Sequence, residues 1–188
     1  MERNLIQEER EKCVKKHIPD LFSGKYHSVL YVGANQKRQH FLENFENSKY
    51  DEIVIIEAFH ENFEFLKRKF ENDSSKPYRV IEGDIRDMEK FDLTSFDVVF
   101  FWHGIEHLPQ KDIEPTLKKL EKRSKHLVVL GMPFGKYEQG PEYGNPYEEH
   151  VSIIYPSTLE KFGYKTETLG NADKEGSNIT AWKYLNSK

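Results

Sequence analysis

The sequence has one cysteine, no long apolar run and no surplus of either charge. Cys13 stands alone among 188 residues. Neither an intrachain disulfide nor a cysteine-based zinc site can form, which suits a reducing compartment. No apolar run approaches the roughly 20 residues of a membrane span. The opening MERNLIQEEREKCVKK is too charged for a secretory signal. Lysine and arginine number 28 against 32 aspartate and glutamate, a formal charge of −4. That balance recommends neither nucleic acid nor an anionic membrane as partner. The expectation is a cytoplasmic protein of one domain, spanning 1–188, long enough to bury a real core.

Short apolar runs alternate with amphipathic ones. Ser28–Gly33, Glu52–Glu57, Tyr78–Asp84, Phe96–Trp102 and His126–Gly131 are β-branched or aromatic and bounded by turn or charged residues. Their near-continuous apolarity predicts strands buried on both faces, as in a parallel sheet. Helices are expected through Phe41, Leu42 and Phe45, through Phe63, Leu66 and Phe70, and through Ile113, Leu117 and Leu120. Only a short turn or helix fits between the third and fourth strands, around Met88. This order implies a doubly wound α/β sheet with right-handed crossovers. Tyr164–Gly170 and Asn178–Leu185 follow with no room for a helix between them, so they should pair antiparallel. Residues 1–25 read as a helical segment broken near Pro19, and Ser157–Glu160 as a capping box opening a short helix closed by Gly163. The stretch 132–155 is dense in Gly, Pro and Tyr and too long for an idle connection, so it reads as a functional loop.

One motif invites a metal. His103-Gly-Ile-Glu106-His107 is two histidines with a glutamate between them, the inverted zinc-peptidase pattern. A zinc peptidase needs both histidines on one helix face, and a further ligand. His103 instead follows an apolar strand directly, and Gly104 and Pro109 leave little over one helical turn. No resident metal is expected.

Ligands of open α/β sheets bind at the carboxyl ends of the strands. Those ends carry Gly33-Ala34-Asn35, then Glu57-Ala58, then Gly83-Asp84-Ile85, then Trp102-His103. In this order, with the terminal hairpin, the chain from about Tyr26 to Leu185 resembles the class I S-adenosylmethionine-dependent methyltransferases. VLYVGAN stands at that family's glycine-rich first motif, IIEAF at the ribose motif, EGDIRD at the adenine motif, FDVVFFWHGIEHL at the fourth strand and its loop, and LVVLGMPFG at the fifth strand. The resemblance implies a mostly parallel seven-stranded Rossmann-like sheet and S-adenosylmethionine as cofactor. It implies that Gly33, Ala34 and Asn35 lie against the methionine moiety and that Glu57, beside Ala58, binds the ribose. Asp84 and Ile85 would hold the adenine, and Trp102 and His103 would flank the sulfonium. Two departures stand out: Tyr31 replaces the acid usual before the first glycine, and Gly33 has no second glycine after it. Lys37 or Arg38 is a candidate to compensate at the cofactor carboxylate.

A hydroxyl or protonated amine acceptor needs a base, and histidine is the commonest. His150, with Glu149 beside it, is the first candidate, and His103 and His107 are the others. The acceptor is expected to be a small molecule or sugar-like; its identity and the oligomeric state are left open. Two other readings compete. A nicotinamide dehydrogenase would share Gly33 and Glu57 but normally shows G-x-G-x-x-G, which this chain lacks. A non-catalytic binding protein would explain the thinned first motif.

Overall fold

A computed structural model describes residues 2–36, 39–72, 77–142 and 144–185; Lys37 and Arg38 lie outside them. Seven strands form one sheet: β1 (Ser28–Val32), β2 (Glu52–Glu57), β3 (Tyr78–Glu82), β4 (Phe96–Trp102), β5 (Ser124–Pro133), β6 (Lys165–Leu169) and β7 (Asn178–Tyr184). Their order is β3-β2-β1-β4-β5-β7-β6. The first five run parallel. β7 returns antiparallel between β5 and β6.

Both faces of the central strands are covered, as their unbroken apolarity requires. Because strand side chains alternate, β1 sends Val29 and Tyr31 to one face and Leu30 and Val32 to the other. On the first face lie α1 (Glu2–His17), α2 (His40–Asn47) and α3 (His60–Phe70), which contribute Val14, Phe41, Phe45, Phe63 and Leu66. On the second lie α4 (Gln110–Arg123) and α5 (Pro156–Glu160), with Ile113, Leu117, Leu120 and Leu159. The expected short turn or helix around Met88 is a 3₁₀ segment, Ile85–Lys90. No helix among the described residues is long and apolar enough to cross a membrane.

One expected detail is corrected. α5 begins at Pro156, and Ser157 lies inside it rather than capping it. The side chain that reaches back is Thr158, whose Oγ1 accepts from the Tyr155 backbone N–H at 3.3 Å. Proline at the first helical position, with its preset φ, wins over a serine one residue later. Gly163 closes the segment at φ +83°, as expected.

Trp102 is a core residue. Its ring packs on Phe41 at 4.8 Å and on Phe100 at 5.4 Å, and it is 1% exposed. Gly131, its neighbour on β5, leaves room for that ring: a Cβ there would sit 2.3 Å from the indole. Gly131→Ala should therefore destabilise the fold by about 1–3 kcal/mol through overpacking. Urea unfolding checks this, and an unchanged midpoint would mean that the indole can step aside.

Candidate functional site

The strand order reverses between β1 and β4, and the site is built on the carboxyl ends around that point. β1 ends in Gly33, whose φ of +77° favours glycine. Its N–H donates to Ile56 O on β2 at 3.0 Å, so the turn out of the strand stays tied to the sheet. Ala34 is buried behind it, and Asn35 is half-buried at the lip.

Glu57 ends β2 with 6% exposure. Burial pushes its carboxyl up to about 8. Donors work against that rise: the Phe59 N–H at 2.9 Å, the Asn62 side chain and the Ala58 backbone. The charge of Glu148 adds to it. A buried carboxylate whose local donors do not offset its burial suits a ligand that brings hydroxyl donors.

Asp84, just past β3, is spoken for in part. It caps the following 3₁₀ turn by accepting from the Arg86 N–H at 2.8 Å, and its two oxygens take the Arg86 guanidinium at 2.6 to 3.0 Å. Burial alone would raise its pKa, but these Arg86 bonds outweigh burial and lower it. Any adenine amine must share this carboxylate with Arg86. Ile85 is buried beside it.

β4 runs into His103, which adopts φ +52°, a left-handed conformation uncommon outside glycine. Its N–H donates to Gly131 O at 2.7 Å. The Arg10 guanidinium, from α1, meets His103 Nε2 at 3.0 Å. A guanidinium only donates, so Nε2 accepts, and Nδ1 carries the proton it gives to Glu106 Oε1 at 3.2 Å. Glu106 and His107 lie on a one-turn 3₁₀ helix, Ile105–His107. Burial would raise the Glu106 carboxyl; the electrostatic pull of the His107, His103 and His150 rings, with the His103 bond, outweighs it and brings it down to about 2.

The long segment after β5 folds back over this end of the sheet. Its ends are joined where the Gly135 N–H donates to Ile154 O at 2.8 Å. Val151 and Ser152 both donate their N–H to Glu106 O at 3.0 Å. The Glu148 side chain accepts from Asn35 Nδ2 at 2.8 Å, linking the segment to the first turn of the site. His150 stands against His107, with ring centroids 4.9 Å apart. One potential ligand atom from each of Glu106, His107 and His150 lies within 4.8 Å of the other two.

Of the residues singled out in the sequence, Gly33, Ala34, Asn35, Glu57, Ala58, Asp84, Ile85 and His103 all lie at or just beyond these strand ends. His107 and His150 join His103 around Glu106. Trp102 is turned away into the core with Phe41 and Phe100. Glu149, expected beside His150, contributes its backbone carbonyl to His107 Nδ1 at 3.0 Å. It is the neighbouring Glu148 whose side chain reaches the site. Three participants were missed. Arg10 carries no sequence signal at all, because it arrives from a distant helix. Glu106 was visible within its motif, and Glu148 within the EEH run, but neither spacing says where a carboxylate points.

Residues 32–126 match the model of a family described as "Methyltransferase domain". No curated protein matches the chain. Among solved structures, the N-methyltransferase NodS from Bradyrhizobium japonicum WM9 superposes with a TM-score of 0.68 at 11% identity, over 100% of both chains. The N-terminal domain of EvdMO1, solved with SAH and D-fucose, gives 0.65 at 14% identity, over 95% of this chain and 82% of the other. The methyltransferase domain of the bacterial CtHen1-CN gives 0.63 at 18%, over 96% and 100%. These likenesses agree with the sheet order and the terminal antiparallel pair. With the family match spanning half its length, the chain belongs to the class I S-adenosylmethionine-dependent methyltransferase family.

Proposed function

We propose that this chain transfers the methyl group of S-adenosylmethionine to a small, sugar-like molecule in the cytoplasm, at the carboxyl ends of β1, β2 and β4. The observation that carries the proposal is Glu57: a buried strand-end carboxylate that burial pushes up to about 8, beside a glycine turn at the point where strand order reverses. That pairing fits the adenosyl half of the cofactor. Glu57 would accept from the ribose hydroxyls. Gly33, Ala34 and Asn35 would line the methionine side, and Asp84 and Ile85 the adenine, with Asp84 still held by Arg86. His103 would stand beside the sulfonium, whereas Trp102 supports it from the core.

The cofactor, when bound, supplies an electrophilic methyl group. The chain then has three tasks: holding the acceptor in line, excluding water and taking the acceptor's proton. The segment 132–155, tied to Glu106 and Asn35, is suited to the first two. The cluster of Glu106, His107 and His150 is suited to the third, with His150 the base we favour. His103 is less suited, because both its ring nitrogens are engaged. A closed segment over the site favours a small acceptor over a polymer. The sugar reading draws support from EvdMO1, the neighbour solved with D-fucose.

Calorimetry tests the assignment. Adenosylhomocysteine should bind at one equivalent and NAD should not bind. Methyl transfer should then appear within a panel of sugars and small hydroxyl or amine compounds. The lone Gly33 and the Tyr31 before it favour one rival, a chain that binds cofactor without turning over. Tight adenosylhomocysteine binding with no transfer across the panel would support that rival.

A further inference from the structure

We propose that Glu106, His107 and His150 form a binding site for one divalent transition-metal ion, such as Zn²⁺, Co²⁺ or Mn²⁺. The sequence pointed the other way. It offered His103 and His107 as a ligand pair, and that pair fails on spacing and conformation. The fold assembles a different set, which leaves His103 out as a ligand and brings His150 in from the far segment.

The protons decide the chemistry of this set. His107 Nδ1 lies 3.0 Å from Glu149 O, and His150 Nδ1 lies 2.8 Å from Tyr137 O. A carbonyl oxygen only accepts, so both Nδ1 atoms carry the proton. In the neutral rings, Nε2 of each is then a lone pair. His103 donates to Glu106 Oε1, which fixes that carboxylate and leaves Oε2 over. Glu106 is 2% exposed, and its Oε2 is buried with no hydrogen-bond partner among the described residues; the same is true of His107 Nε2. An anionic oxygen and the His107 lone pair are therefore buried without partners among the described residues, which is costly, and a potential ligand atom of His150 lies within 4.8 Å of one from each of these two side chains.

A proton shared between Glu106 and His107 does not account for the arrangement. His107 Nε2 stands 3.9 Å from Glu106 Oε1, beyond hydrogen-bond reach. A cation between the groups does account for it. Donors about 2.0–2.2 Å from one ion sit roughly 3–3.5 Å apart, so the set closes by about 1 Å of side-chain movement. Two imidazoles and a carboxylate suit first-row divalent ions and leave coordination positions open. The backbone carbonyl behind each ring is the outer-shell partner that metal-binding histidines ordinarily have.

Such an ion would pin the segment 132–155 to the end of β4. Its use in methyl transfer rests on the function proposed above, while its binding does not. When an ion is bound, His150 is a ligand and acts on the acceptor through the ion; the part of base belongs to it only in the ion-free chain.

The test uses the full, tag-free chain, stripped with chelator and titrated with Zn²⁺, Co²⁺ and Mn²⁺. One equivalent of at least one ion should bind with a Kd of about 10 µM or tighter. Co²⁺ should show visible bands of a nitrogen–oxygen site, and the melting temperature should rise with ion concentration. His107→Ala and Glu106→Gln should each weaken binding at least about tenfold. Wild-type protein that binds none of the three ions below about 1 mM would overturn the proposal without any variant. Undiminished binding by the double variant His107→Ala/His150→Ala would overturn it too. Adenosylhomocysteine binding, read in the same preparation, reports separately on the methyltransferase function. Cofactor binding without metal binding sinks the ion site alone; metal binding without cofactor binding upholds it and sinks the function.

Discussion

His150→Ala should lower methyl transfer by roughly 10²–10⁴-fold while adenosylhomocysteine affinity stays within about twofold. The split follows from where His150 sits. It belongs to the segment after β5 and faces Glu106 and His107, not the Glu57 side of the site. Removing the imidazole leaves the anchors of the segment in place: the Val151 and Ser152 N–H groups on Glu106 O, and Gly135 against Ile154. The segment should still close, so the loss falls on the chemistry and not on the cofactor. Whether His150 takes the proton itself or holds an ion that acts on the acceptor, the same split is expected. The two differ under chelation: added Zn²⁺ or Mn²⁺ restores a stripped wild-type chain in the second case only. Cofactor affinity lost in parallel with turnover would mean that the segment is merely structural.

The fold was largely legible, for physical reasons. Strands buried on both faces are apolar throughout, so Glu52–Glu57 and Phe96–Trp102 read correctly to the residue. β5 read short, because Ser124 and Lys125 at its start look like turn residues, and Met132 and Pro133 at its end look like loop. Pairing with β7 carries it through to Pro133. The site was legible only where a residue's position in the chain also sets its position in space. Strand ends satisfy that condition, which is why Gly33, Glu57 and Asp84 could be placed at the carboxyl edge of the sheet from the sequence. The Glu106 cluster does not, because His150 is brought in by a fold-back whose course is set by Gln139, Glu148 and Ser152. Trp102 marks the limit of the alternation rule. A strand-end aromatic faces either layer, and the gap left by Gly131 draws this one inward.

Glu57→Ala should weaken adenosylhomocysteine at least about tenfold, since each hydrogen bond to a charged group is worth about 1.5–3 kcal/mol. The pH dependence of binding provides a sharper signature. Burial raises the Glu57 carboxyl from its ordinary 4.5 to about 8, with Glu148 adding to the rise and Phe59, Asn62 and Ala58 opposing it. In the free folded chain Glu57 therefore keeps its proton up to about pH 8. Unfolded, it has lost that proton above about 4.5. Its contribution to stability is thus fully present below about pH 4.5 and is lost as pH rises through about 8. Ribose hydroxyls donate, so they favour the ionised carboxylate. Binding must then release a proton below pH 8, and affinity should climb from pH 6 to about 8 before levelling off. Glu57→Gln, which keeps an acceptor for the Phe59 N–H, should flatten both slopes. Calorimetry in buffers of different ionisation enthalpy reads the released proton directly. Affinity unchanged in Glu57→Ala would remove Glu57 from the site. Binding without proton release at pH 6.5 would mean that the carboxylate is already ionised in the free chain, and with it would go the argument that Glu57 awaits a ligand.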